Sequence, residues 1–298
     1  MQIQIQENIP LAPYTSWKIG GPARYFFQPK NLLELKEALI WSKHQGVAFQ
    51  VLGGGSNVLI HDRGYAGLIL QMSKLTGIFD FQISTNSVSF SAWAGTSKAE
   101  ILKICLKEKL EAAMFLAGLP GDVGGGVVMN AGVAEGFAIR EFEQIIYKVY
   151  VLDVDSHKEK IFLHDDISWD YRHSSGWQPG IIYRVDFSIP EQKDPLIVEK
   201  VRQANKIRLQ KQPLDLPSCG SVFVNPPGLK AAQLIDQCGL KGFQVGQAQV
   251  SKKHANFIVN LGQATAEDVA SVIQHVQTIV LQQKNVSLNT EVVQIGFA

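Results

Sequence analysis

The chain has 298 residues, of which 46% are hydrophobic and 18% are charged, with 28 Lys and Arg against 27 Asp and Glu. This composition is typical of a globular protein of two or three domains, and it excludes disordered and collagen-like chains. Because the net charge is only +1, the molecule as a whole has no strong positive electrostatic potential that would attract a polyanion. We therefore expect no nucleic-acid partner, and a local site for any anionic ligand.

Neither secretion nor membrane insertion is indicated. The first ten residues, MQIQIQENIP, contain neither a basic stretch nor an apolar core, and no apolar run approaches the roughly 18 residues of a membrane span. The three cysteines, Cys105, Cys219 and Cys238, are an odd number without CxxC spacing, which argues against a disulfide framework and against a zinc site. We therefore expect a cytoplasmic protein without a metal ion.

The first elements alternate helix and strand. Asn31 is placed to cap a helix that ends near Gly46, with Glu34 at the capping-box position. A short apolar strand over 49–52 follows, then the glycine turn GGGSN, then a second apolar strand over 58–60. This alternation indicates a mixed α and β fold.

The mixed pattern continues to the end of the chain. Further strands are predicted over 87–93, 147–154 and 180–189, and further helices over 98–110, 196–210, 229–237 and 266–284, the last capped by Thr265. A polar, proline-containing stretch at 192–195 marks a domain boundary. We expect two parts of a larger domain, over 1–62 and 63–192, and a smaller α+β domain over 193–298.

The first glycine segment, Gly53 to Asn57, lies between two apolar strands. Glycines here let backbone amides approach a pyrophosphate, and Ser56 and Asn57 add side-chain hydrogen bonds. The segment matches neither GxGxxG nor a Walker A loop, so the two commonest nucleotide folds are not indicated. A tight hairpin without a ligand is the alternative.

The second glycine segment, GLPGDVGGGVVMNAG over 118–132, mixes glycines with apolar residues. Three consecutive glycines, Gly124, Gly125 and Gly126, cost a helix roughly 1 kcal/mol each relative to alanine, so close approach of a flat ligand would explain them. Asp122 can serve as the N-cap of a short helix whose start would receive an anionic group. The alternative, a flexible loop, fits poorly with so many apolar residues.

Other candidate residues are ambiguous when taken one at a time. A serine after glycine, such as Ser221, is most often a turn residue, and this one does not lie in a GxSxG nucleophile elbow. An arginine among polar residues, such as Arg172 beside Tyr171, is most often a surface ion pair. Glu291 near the C-terminus is equally ambiguous. The histidines without metal-ligand spacing are interpreted as structural or surface residues: His157, His164, His173, His254 and His275.

Taken together and in order, six motifs resemble one family. They are TSWKIGGPARYF (15–26), VLGGGSNVLI (51–60), GLPGDVGGGVVMNAG (118–132), DYRHS (170–174), LPSCGSVFVNP (216–226) and GLKGFQVGQAQVSKKHANFIVN (239–260). They are similar to the UDP-N-acetylenolpyruvoylglucosamine reductases, the MurB family, over nearly the whole chain. The short connection between Val224 and Gln233 is similar to the type II subclass.

The resemblance implies an α+β flavoprotein of the vanillyl-alcohol oxidase (PCMH-type) fold, with a two-part flavin domain and a C-terminal substrate domain. It also implies a monomer that binds FAD noncovalently, takes hydride from NADPH and makes UDP-N-acetylmuramate for peptidoglycan. Matched by motif, the residues implied to hold FAD are Gly53, Gly54, Gly55, Ser56, Asn57, Gly118, Pro120, Gly121, Asp122, Gly124, Gly125, Asn130 and Gly132. Tyr171, Asn225 and Lys241 match substrate-binding positions, Lys241 at the diphosphate.

Three further residues match the family's catalytic positions, and their chemistry is consistent with those roles. Arg172 would bind the substrate carboxylate as it becomes enolate-like in the transition state. Glu291 would polarise or orient this group. Ser221 would protonate C2, which is feasible for a weak acid if geometry is imposed on it.

The chain departs from the family pattern at four positions. Asp122 stands in place of serine and brings a negative charge towards a pyrophosphate, although it keeps the capping role. Gly126 stands in place of a small alanine, and Val128 in place of a common aromatic. Val224 replaces a basic residue that would contact the substrate diphosphate.

Two other functions remain open at the level of sequence. One is another flavin oxidase or dehydrogenase of the same fold, acting on an alcohol or hydroxy acid. Many of those attach FAD through histidine, and neither glycine segment contains one. The other is a ligand-binding relative without catalysis, against which the joint presence of Arg172, Ser221 and Glu291 argues.

Overall fold

The computed structural model describes residues 3–133 and 141–297. The chain forms two compact units, each assembled from separate stretches of sequence. Unit 1 contains Met1–Ile5, Phe26–Gly54 and Leu68–Asn205, and unit 2 contains Gln6–Tyr25, Gly55–Gly67 and Lys206–Ala298. The sequence boundaries predicted after residues 62 and 192 stay a prediction.

Helices and strands are mixed along the described chain, as the sequence patterns predicted. The helices are α1 (Leu32–His44), α2 (Lys98–Lys107), α3 (Ala113–Leu116), α4 (Val123–Val128), α5 (Ile197–Lys211), α6 (Ala231–Gln237) and α7 (Ala266–Lys284). The strands are β1 (Gln6–Pro10), β2 (Pro22–Phe27), β3 (Phe49–Leu52), β4 (Val58–Ile60), β5 (Tyr65–Gln71), β6 (Ile78–Ile83), β7 (Ser87–Trp93), β8 (Ile146–Asp153), β9 (Glu159–Leu163), β10 (Ser168–Asp170), β11 (His173–Ser175), β12 (Gly180–Pro190), β13 (Gln244–Val245), β14 (Ala248–Val250), β15 (Ile258–Asn260) and β16 (Val293–Ile295).

Unit 1 is organised around a five-stranded antiparallel sheet in the order β6-β7-β12-β8-β9. Its long central strand β12 alternates along its C-terminal half, so that Val185, Phe187 and Ile189 are buried while the residues between them are partly exposed. The Phe187 ring stacks on Phe90 of β7 at 5.0 Å and meets Phe142 edge-on at 5.7 Å. This aromatic core lies beneath the second glycine segment, because the Phe142 ring also packs against α4.

The two strands on either side of the first glycine segment belong to different pairings. Strand β3 pairs in parallel with β5, with Phe49 opposite Leu68. Strand β4 pairs in parallel with β16, with Val58 opposite Val293. The hairpin alternative for this segment is therefore wrong, since β3 and β4 do not pair with each other. Within this turn the chain passes from unit 1, which includes Gly54, to unit 2, which includes Gly55.

The core of unit 2 is built on helix α7 and the three-stranded sheet β13-β14-β15. Trp17, from the first motif, is fully buried in this core, and its indole N–H donates to the Ile258 backbone oxygen at 2.8 Å. The Asn260 side chain donates to the Trp17 backbone oxygen at 3.0 Å. The TSWKIGG motif is therefore fixed to the C-terminal part of the chain.

Helix caps follow the sequence closely, whereas the ends of several helices differ from expectation by one to three residues. Asn31 caps α1 and Thr265 caps α7, as predicted. Helix α2 ends at Lys107 rather than Leu110, because Lys109 adopts a left-handed backbone with φ of 58°. No helix within the described residues has the length and apolar character needed to cross a lipid bilayer.

Candidate active site

The first two glycines of the segment 53–57 lie against the second glycine segment within unit 1. A Cβ on Gly54 would come within 3.1 Å of the Gly121 Cα, and a Cβ on Gly53 would collide with the Asp122 carboxylate. Neither position can take a side chain without a shift of backbone or carboxylate. The two segments predicted to bind one cofactor are thus brought together by close backbone packing.

The rest of this segment lies in unit 2 and is held by unit 2. Gly55 has φ of 64°, a Cβ there would collide with the Tyr14 backbone oxygen, and its own oxygen accepts from the Ser16 N–H at 3.0 Å. The Asn57 side-chain amide donates to the Glu291 backbone oxygen at 2.9 Å. Asn57, expected to contact a cofactor, therefore also positions Glu291.

The second glycine segment runs antiparallel to residues 94–98 and then forms α4. The Val123 N–H donates to the Thr96 oxygen at 2.9 Å, and the Lys98 N–H donates to the Gly121 oxygen at 3.1 Å. Asp122 is the N-cap of α4 and accepts from the Gly125 N–H at 2.8 Å. The predicted short capped helix is confirmed, and the flexible-loop alternative is wrong.

Two of the three consecutive glycines in α4 are explained by packing within the protein. A Cβ on Gly124 would lie 3.1 Å from the Ala94 Cβ, and a Cβ on Gly126 would lie 2.6 Å from the Phe142 ring. Gly125 would meet only its own cap, Asp122, at 3.0 Å. Ligand approach is therefore needed to explain Gly125 alone, and the Phe142 ring is the reason that Gly126 has no methyl group.

Asp122 and Lys98 are titratable residues buried in unit 1, and they lie close enough for each to shift the pKa of the other. Asp122 is 5% exposed and Lys98 is 4% exposed. Burial raises the pKa of the Asp122 carboxyl, against the opposing effects of the Gly125 N–H, the Lys98 ammonium and the Gly54 N–H. Burial lowers the pKa of Lys98 to about 8; the field of Asp122 opposes this and that of Arg172 adds to it. Each group therefore makes burial of the other less costly.

Arg172 lies in a tight turn between β10 and β11, with a left-handed φ of 62°. For a residue other than glycine this backbone costs roughly 1 kcal/mol or more, so the surroundings must hold it. Its Nη2 donates to the Gly132 oxygen at 2.9 Å, and its guanidinium lies 4.6 Å from the Tyr171 ring centre. The predicted carboxylate ligand is thus tied to the end of the second glycine segment.

Asn130 ties the same turn to the same segment from the other side. It is 1% exposed, its amide donates to the Asp170 oxygen at 3.2 Å, and its oxygen accepts from the Glu143 N–H at 3.1 Å. Its side chain is therefore used by the protein itself. Direct contact of that side chain with a cofactor stays a prediction.

Within unit 2, Ser221 and Glu291 lie on neighbouring segments. The Glu291 N–H donates to the oxygen of Val222, the residue after Ser221, at 2.8 Å, and Phe223 bridges Thr290 in antiparallel fashion. Two residues that are 70 positions apart in the sequence are thereby held in register.

Asn256 holds the segment after Ser221 from the opposite side, a role that sequence reasoning missed. Its backbone oxygen accepts from the Val222 N–H at 2.8 Å, and its side chain makes a reciprocal pair of hydrogen bonds with the Phe223 backbone at 2.9 and 2.8 Å. Asn256 is 4% exposed. The asparagine in KHANF was the signal, but its partner lies 33 residues away.

Cys219 is a second residue near this site that sequence reasoning set aside. Cys219 is 7% exposed. Like Cys105 and Cys238, it is not in a disulfide. Burial raises the pKa of its thiol, and the nearby Glu291 carboxylate raises it further. Both effects keep the Cys219 thiol protonated.

The two residues predicted to reach the substrate diphosphate have partners within unit 2. The Asn225 side-chain oxygen accepts from the Ala231 N–H at 3.0 Å, which explains why α6 begins there rather than at Leu229. The Lys241 ammonium pairs with the Asp236 carboxylate at 2.7 Å. Burial lowers the pKa of His254, and the positive charge of Lys241 lowers it further. Within the described part of the chain, no group of three or more His, Cys, Asp or Glu is placed to hold a metal ion.

Comparison with known proteins gives consistent matches over both halves of the chain. A family model described as an FAD binding domain matches residues 23–157, and the model of the UDP-N-acetylenolpyruvoylglucosamine reductase C-terminal domain matches residues 212–295. The UDP-N-acetylenolpyruvoylglucosamine reductase of Lactobacillus gasseri is 40% identical over 295 residues, covering 99% of this chain and 95% of that protein. That of Pediococcus pentosaceus is 37% identical over 296 residues, covering 99% and 95%.

A solved structure agrees with these matches. The UDP-N-acetylenolpyruvylglucosamine reductase (MurB) from Thermus caldophilus superposes with a TM-score of 0.75 at 29% identity, covering 99% of each chain. Together with the mixed α and β architecture, these similarities confirm the predicted flavoprotein fold class.

Proposed function

The chain belongs to the UDP-N-acetylenolpyruvoylglucosamine reductase (MurB) family, and on that premise we propose the reaction that it catalyses. It reduces UDP-N-acetyl-3-O-(1-carboxyvinyl)-glucosamine to UDP-N-acetylmuramate in peptidoglycan precursor synthesis, using FAD and NADPH. The observation that carries this proposal is the hydrogen bond from the Glu291 N–H to the Val222 oxygen, which supports a shared role for Glu291 and Ser221.

The residues of unit 1 fit a bound FAD. Gly53 and Gly54 pack directly against Gly121 and Asp122, which sets the two glycine segments side by side as a cradle with no side chains between their backbones, and a Cβ on Gly125 would meet only its own cap, Asp122. The residues proposed to hold FAD are Gly53, Gly54, Gly55, Ser56, Asn57, Gly118, Pro120, Gly121, Asp122, Gly124, Gly125, Asn130 and Gly132. When bound, FAD supplies hydride transfer from NADPH to C3 of the enolpyruvyl group.

Arg172 is proposed to bind the carboxylate of the enolpyruvyl group. A planar guanidinium holds a carboxylate with two parallel hydrogen bonds and stabilises it most when it gains enolate charge. The tether from Nη2 to Gly132 and the strained turn support this role, because both fix the direction of the guanidinium. Tyr171 is proposed to contact the substrate beside it.

Ser221 is proposed to give its hydroxyl proton to C2 after hydride arrives at C3, which neutralises the enolate charge, and the serine oxygen then regains a proton from solvent. Glu291 is proposed to orient the reacting group. The backbone of Glu291 is held on two sides, by Val222 and by Asn57, which supports a fixed position for its carboxylate.

Lys241 and Asn225 are proposed to hold the substrate diphosphate. Lys241 already pairs with Asp236, so diphosphate binding requires an exchange of one anion for another. Because the diphosphate carries more charge than a carboxylate and can be contacted by Asn225 as well, the exchange is favourable. Val224 offers no charge of its own there.

A rapid-mixing experiment tests the proposal. Oxygen-free protein is mixed with NADPH while absorbance near 450 nm is followed, and the reduced protein is then mixed with the enolpyruvyl substrate. Wild type should bleach and then recover. Ser221→Ala should bleach normally but recover several orders of magnitude more slowly, because only the second half-reaction needs a proton at C2. Ser218→Ala is the matched control and should behave as wild type.

The alternatives give different outcomes in the same experiment. An oxidase or dehydrogenase of this fold would bleach with an alcohol or hydroxy acid in place of NADPH. A noncatalytic relative would not bleach with either. Equal slowing of both half-reactions in Ser221→Ala would make Ser221 a structural residue and remove the assigned proton donor.

Quaternary state and location complete the proposal. We infer a monomer working in the cytoplasm, which the buried free thiols Cys105 and Cys219 support, since such thiols suit a reducing compartment. Analytical ultracentrifugation of the FAD-loaded protein and cell fractionation test these two points.

A further inference from the structure

The buried pair Lys98 and Asp122 has hydrogen-bonding capacity that the protein does not use. Asp122 Oδ1 accepts from the Gly125 N–H, but Oδ2 is buried without a partner of ordinary hydrogen-bond geometry, beside Gly53 and near the Gly54 N–H. Lys98 Nζ forms neither an ion pair nor a hydrogen bond with any described residue; its contact is with the Phe142 ring, 5.6 Å away. A buried acceptor and an ammonium group without a hydrogen bond therefore lie on two residues that are only 5% and 4% exposed.

The backbone fixes the two residues relative to each other. Ser97 bridges Asp122 in antiparallel fashion, and the Lys98 N–H donates to the Gly121 oxygen. Both side chains thus emerge from paired segments, at the point where the first glycine segment also packs. The pair lies inside the cradle proposed for FAD and is not a surface ion pair.

The net charge of this pair decides what kind of group suits it. A phosphate would gain from Lys98 but would face the Asp122 carboxylate, and two anions in a buried place repel each other strongly. A neutral group that donates one hydrogen bond and accepts another would satisfy Oδ2 and Nζ together. Buried polar groups without such a partner are costly, so the fold favours a ligand that supplies one.

We propose that Lys98 and Asp122 bind a neutral donor and acceptor group of FAD, and that the pyrophosphate lies elsewhere in the cradle. FAD has groups of this chemistry on both halves: the ribityl hydroxyls and the N3–H and C2=O edge of the isoalloxazine ring on one, and the ribose hydroxyls and the N6–H and N1 edge of adenine on the other. This inference rests on the proposed FAD site and adds Lys98 to it. It also revises the sequence-based expectation that Asp122 brings its charge to the pyrophosphate.

The direction of the pKa changes agrees with this assignment. Burial raises the pKa of Asp122 and lowers that of Lys98, while each opposes the change in the other. Whether the proton resides on the amine or the carboxyl, the pair has no net charge, and it is matched to a neutral group.

The first test compares the FAD affinity of apo-protein with that of Asp122→Asn, measured by quenching of flavin fluorescence. Asparagine keeps the shape and the cap but turns the acceptor Oδ2 into a donor and removes the charge. The proposal expects affinity to fall by roughly tenfold or more. Tighter binding, as expected if a pyrophosphate faced Asp122, would overturn it. Asp165→Asn, at a carboxylate that is 98% exposed in unit 1, is the control and should bind as wild type.

The second test uses the unaltered protein, so it does not depend on folding of a variant. FAD is compared with 3-methyl-FAD, with analogues lacking the 2′, 3′ or 4′ ribityl hydroxyl, and with analogues lacking a ribose hydroxyl or the amino group of the adenosine half. One analogue should lose about tenfold in affinity, and its identity shows which group the pair binds. The same analogue should lose less than about twofold in Lys98→Met/Asp122→Asn. Equal affinities across the series, or losses that persist unchanged in the double variant, would overturn the proposal.

These outcomes are separate from the fate of the proposed reaction. Wild-type protein that bound no FAD would contradict the cofactor site as a whole. Wild-type protein that bound FAD but failed the two-step bleaching experiment would contradict the proposed reaction and leave the Lys98 and Asp122 assignment to be decided by affinities.

Discussion

The side-chain amide of Asn57 donates a hydrogen bond of 2.9 Å to the backbone oxygen of Glu291. The Val293 N–H returns a hydrogen bond to the Asn57 oxygen at 3.1 Å, and the Glu291 N–H donates to Val222. A residue of the first glycine segment therefore fixes the backbone of the proposed catalytic glutamate, and through it the strand-like segment that follows Ser221.

Removing this link should impair the second half-reaction. We expect Asn57→Ala to slow flavin reoxidation by the enolpyruvyl substrate by roughly tenfold to a hundredfold, because small displacements of a positioned group cost rates of that size. Bleaching by NADPH should change less. Rapid-mixing spectroscopy at full FAD occupancy measures both rates. The control is Asn289→Ala, which changes an exposed asparagine two residues before Glu291. A similar loss of rate in that variant would contradict a positioning role for Asn57.

Adjacent glycines of α4 should respond differently to the same substitution. Gly126→Ala forces a methyl group against the Phe142 ring, so the apo-protein should lose about 1–3 kcal/mol of unfolding free energy. Gly125→Ala places its methyl group 3.0 Å from the Asp122 side chain alone and favours the helix, so the apo-protein should be destabilised less than Gly126→Ala, although FAD affinity should fall. Urea unfolding and fluorescence titration separate these effects. Equal destabilisation by both substitutions would contradict the packing explanation.

Arg172 should not be replaceable by lysine. Lysine keeps the positive charge but cannot form two parallel hydrogen bonds to a carboxylate while also reaching the Gly132 oxygen. We expect Arg172→Lys to lower kcat/KM by about a hundredfold or more at normal FAD occupancy. Arg202→Lys, at a side chain 77% exposed, supplies the comparison. Near-normal turnover of Arg172→Lys would remove Arg172 from the catalytic residues.

The ion pair of Lys241 with Asp236 predicts opposite effects for its two members. Lys241→Ala should raise the KM for the UDP-sugar by roughly tenfold to a hundredfold, the worth of one charge-assisted contact. Asp236→Asn should lower that KM, because it removes the anion that competes with the diphosphate. Val224→Lys should partly rescue Lys241→Ala. Steady-state kinetics with varied UDP-sugar decide the matter, and a KM unmoved by Lys241→Ala would place the diphosphate elsewhere.

The lowered pKa of Lys98, about 8, predicts two pH effects of opposite sign. Among described residues, the charges that act on it are Asp122 and Arg172. As pH rises above 8, FAD binding should weaken by up to about tenfold per pH unit, because deprotonation leaves Asp122 without its cation. Between pH 8 and the ordinary lysine value of 10.5, the unfolded chain holds more protons at this group than the folded apo-protein. This group therefore makes apo-protein stability rise with pH there.

Lys98→Arg provides the check on both pH effects. Arginine keeps its proton throughout this range, so the decline in FAD affinity above pH 8 should be absent. Affinity titrations and thermal unfolding from pH 6.5 to pH 10 measure the two trends. A decline of the same size in Lys98→Arg would assign the titration to another group.

Local signals were readable from the sequence because their partners lie within a turn or two. The caps Asn31, Asp122 and Thr265 each accept from an N–H three residues ahead, and each was predicted. The family motifs likewise identified the glycine segments. These features depend on residue type and spacing alone.

Long-range partners were not readable. Asn256 and Trp17 form hydrogen bonds with residues 33 and 241 positions away, and the residues next to them in the sequence do not indicate these partners. The sequence likewise could not separate glycines required by ligand from Gly124 and Gly126, whose space is taken by Ala94 and Phe142. The sequence did not indicate a role for Lys98, because its distinguishing feature is the burial of a lysine, which the sequence does not show.

The parallel pairing of β4 with β16 also bears on how the protein is made. Asn57 and Glu291, joined across a separation of 234 residues, can meet only after translation has passed Glu291. Until then Asn57 lacks the partner that its side chain binds, and closing so long a loop is entropically slow. A nascent chain therefore cannot form the link from Asn57 to Glu291 while strand β16 is still in the ribosomal exit tunnel.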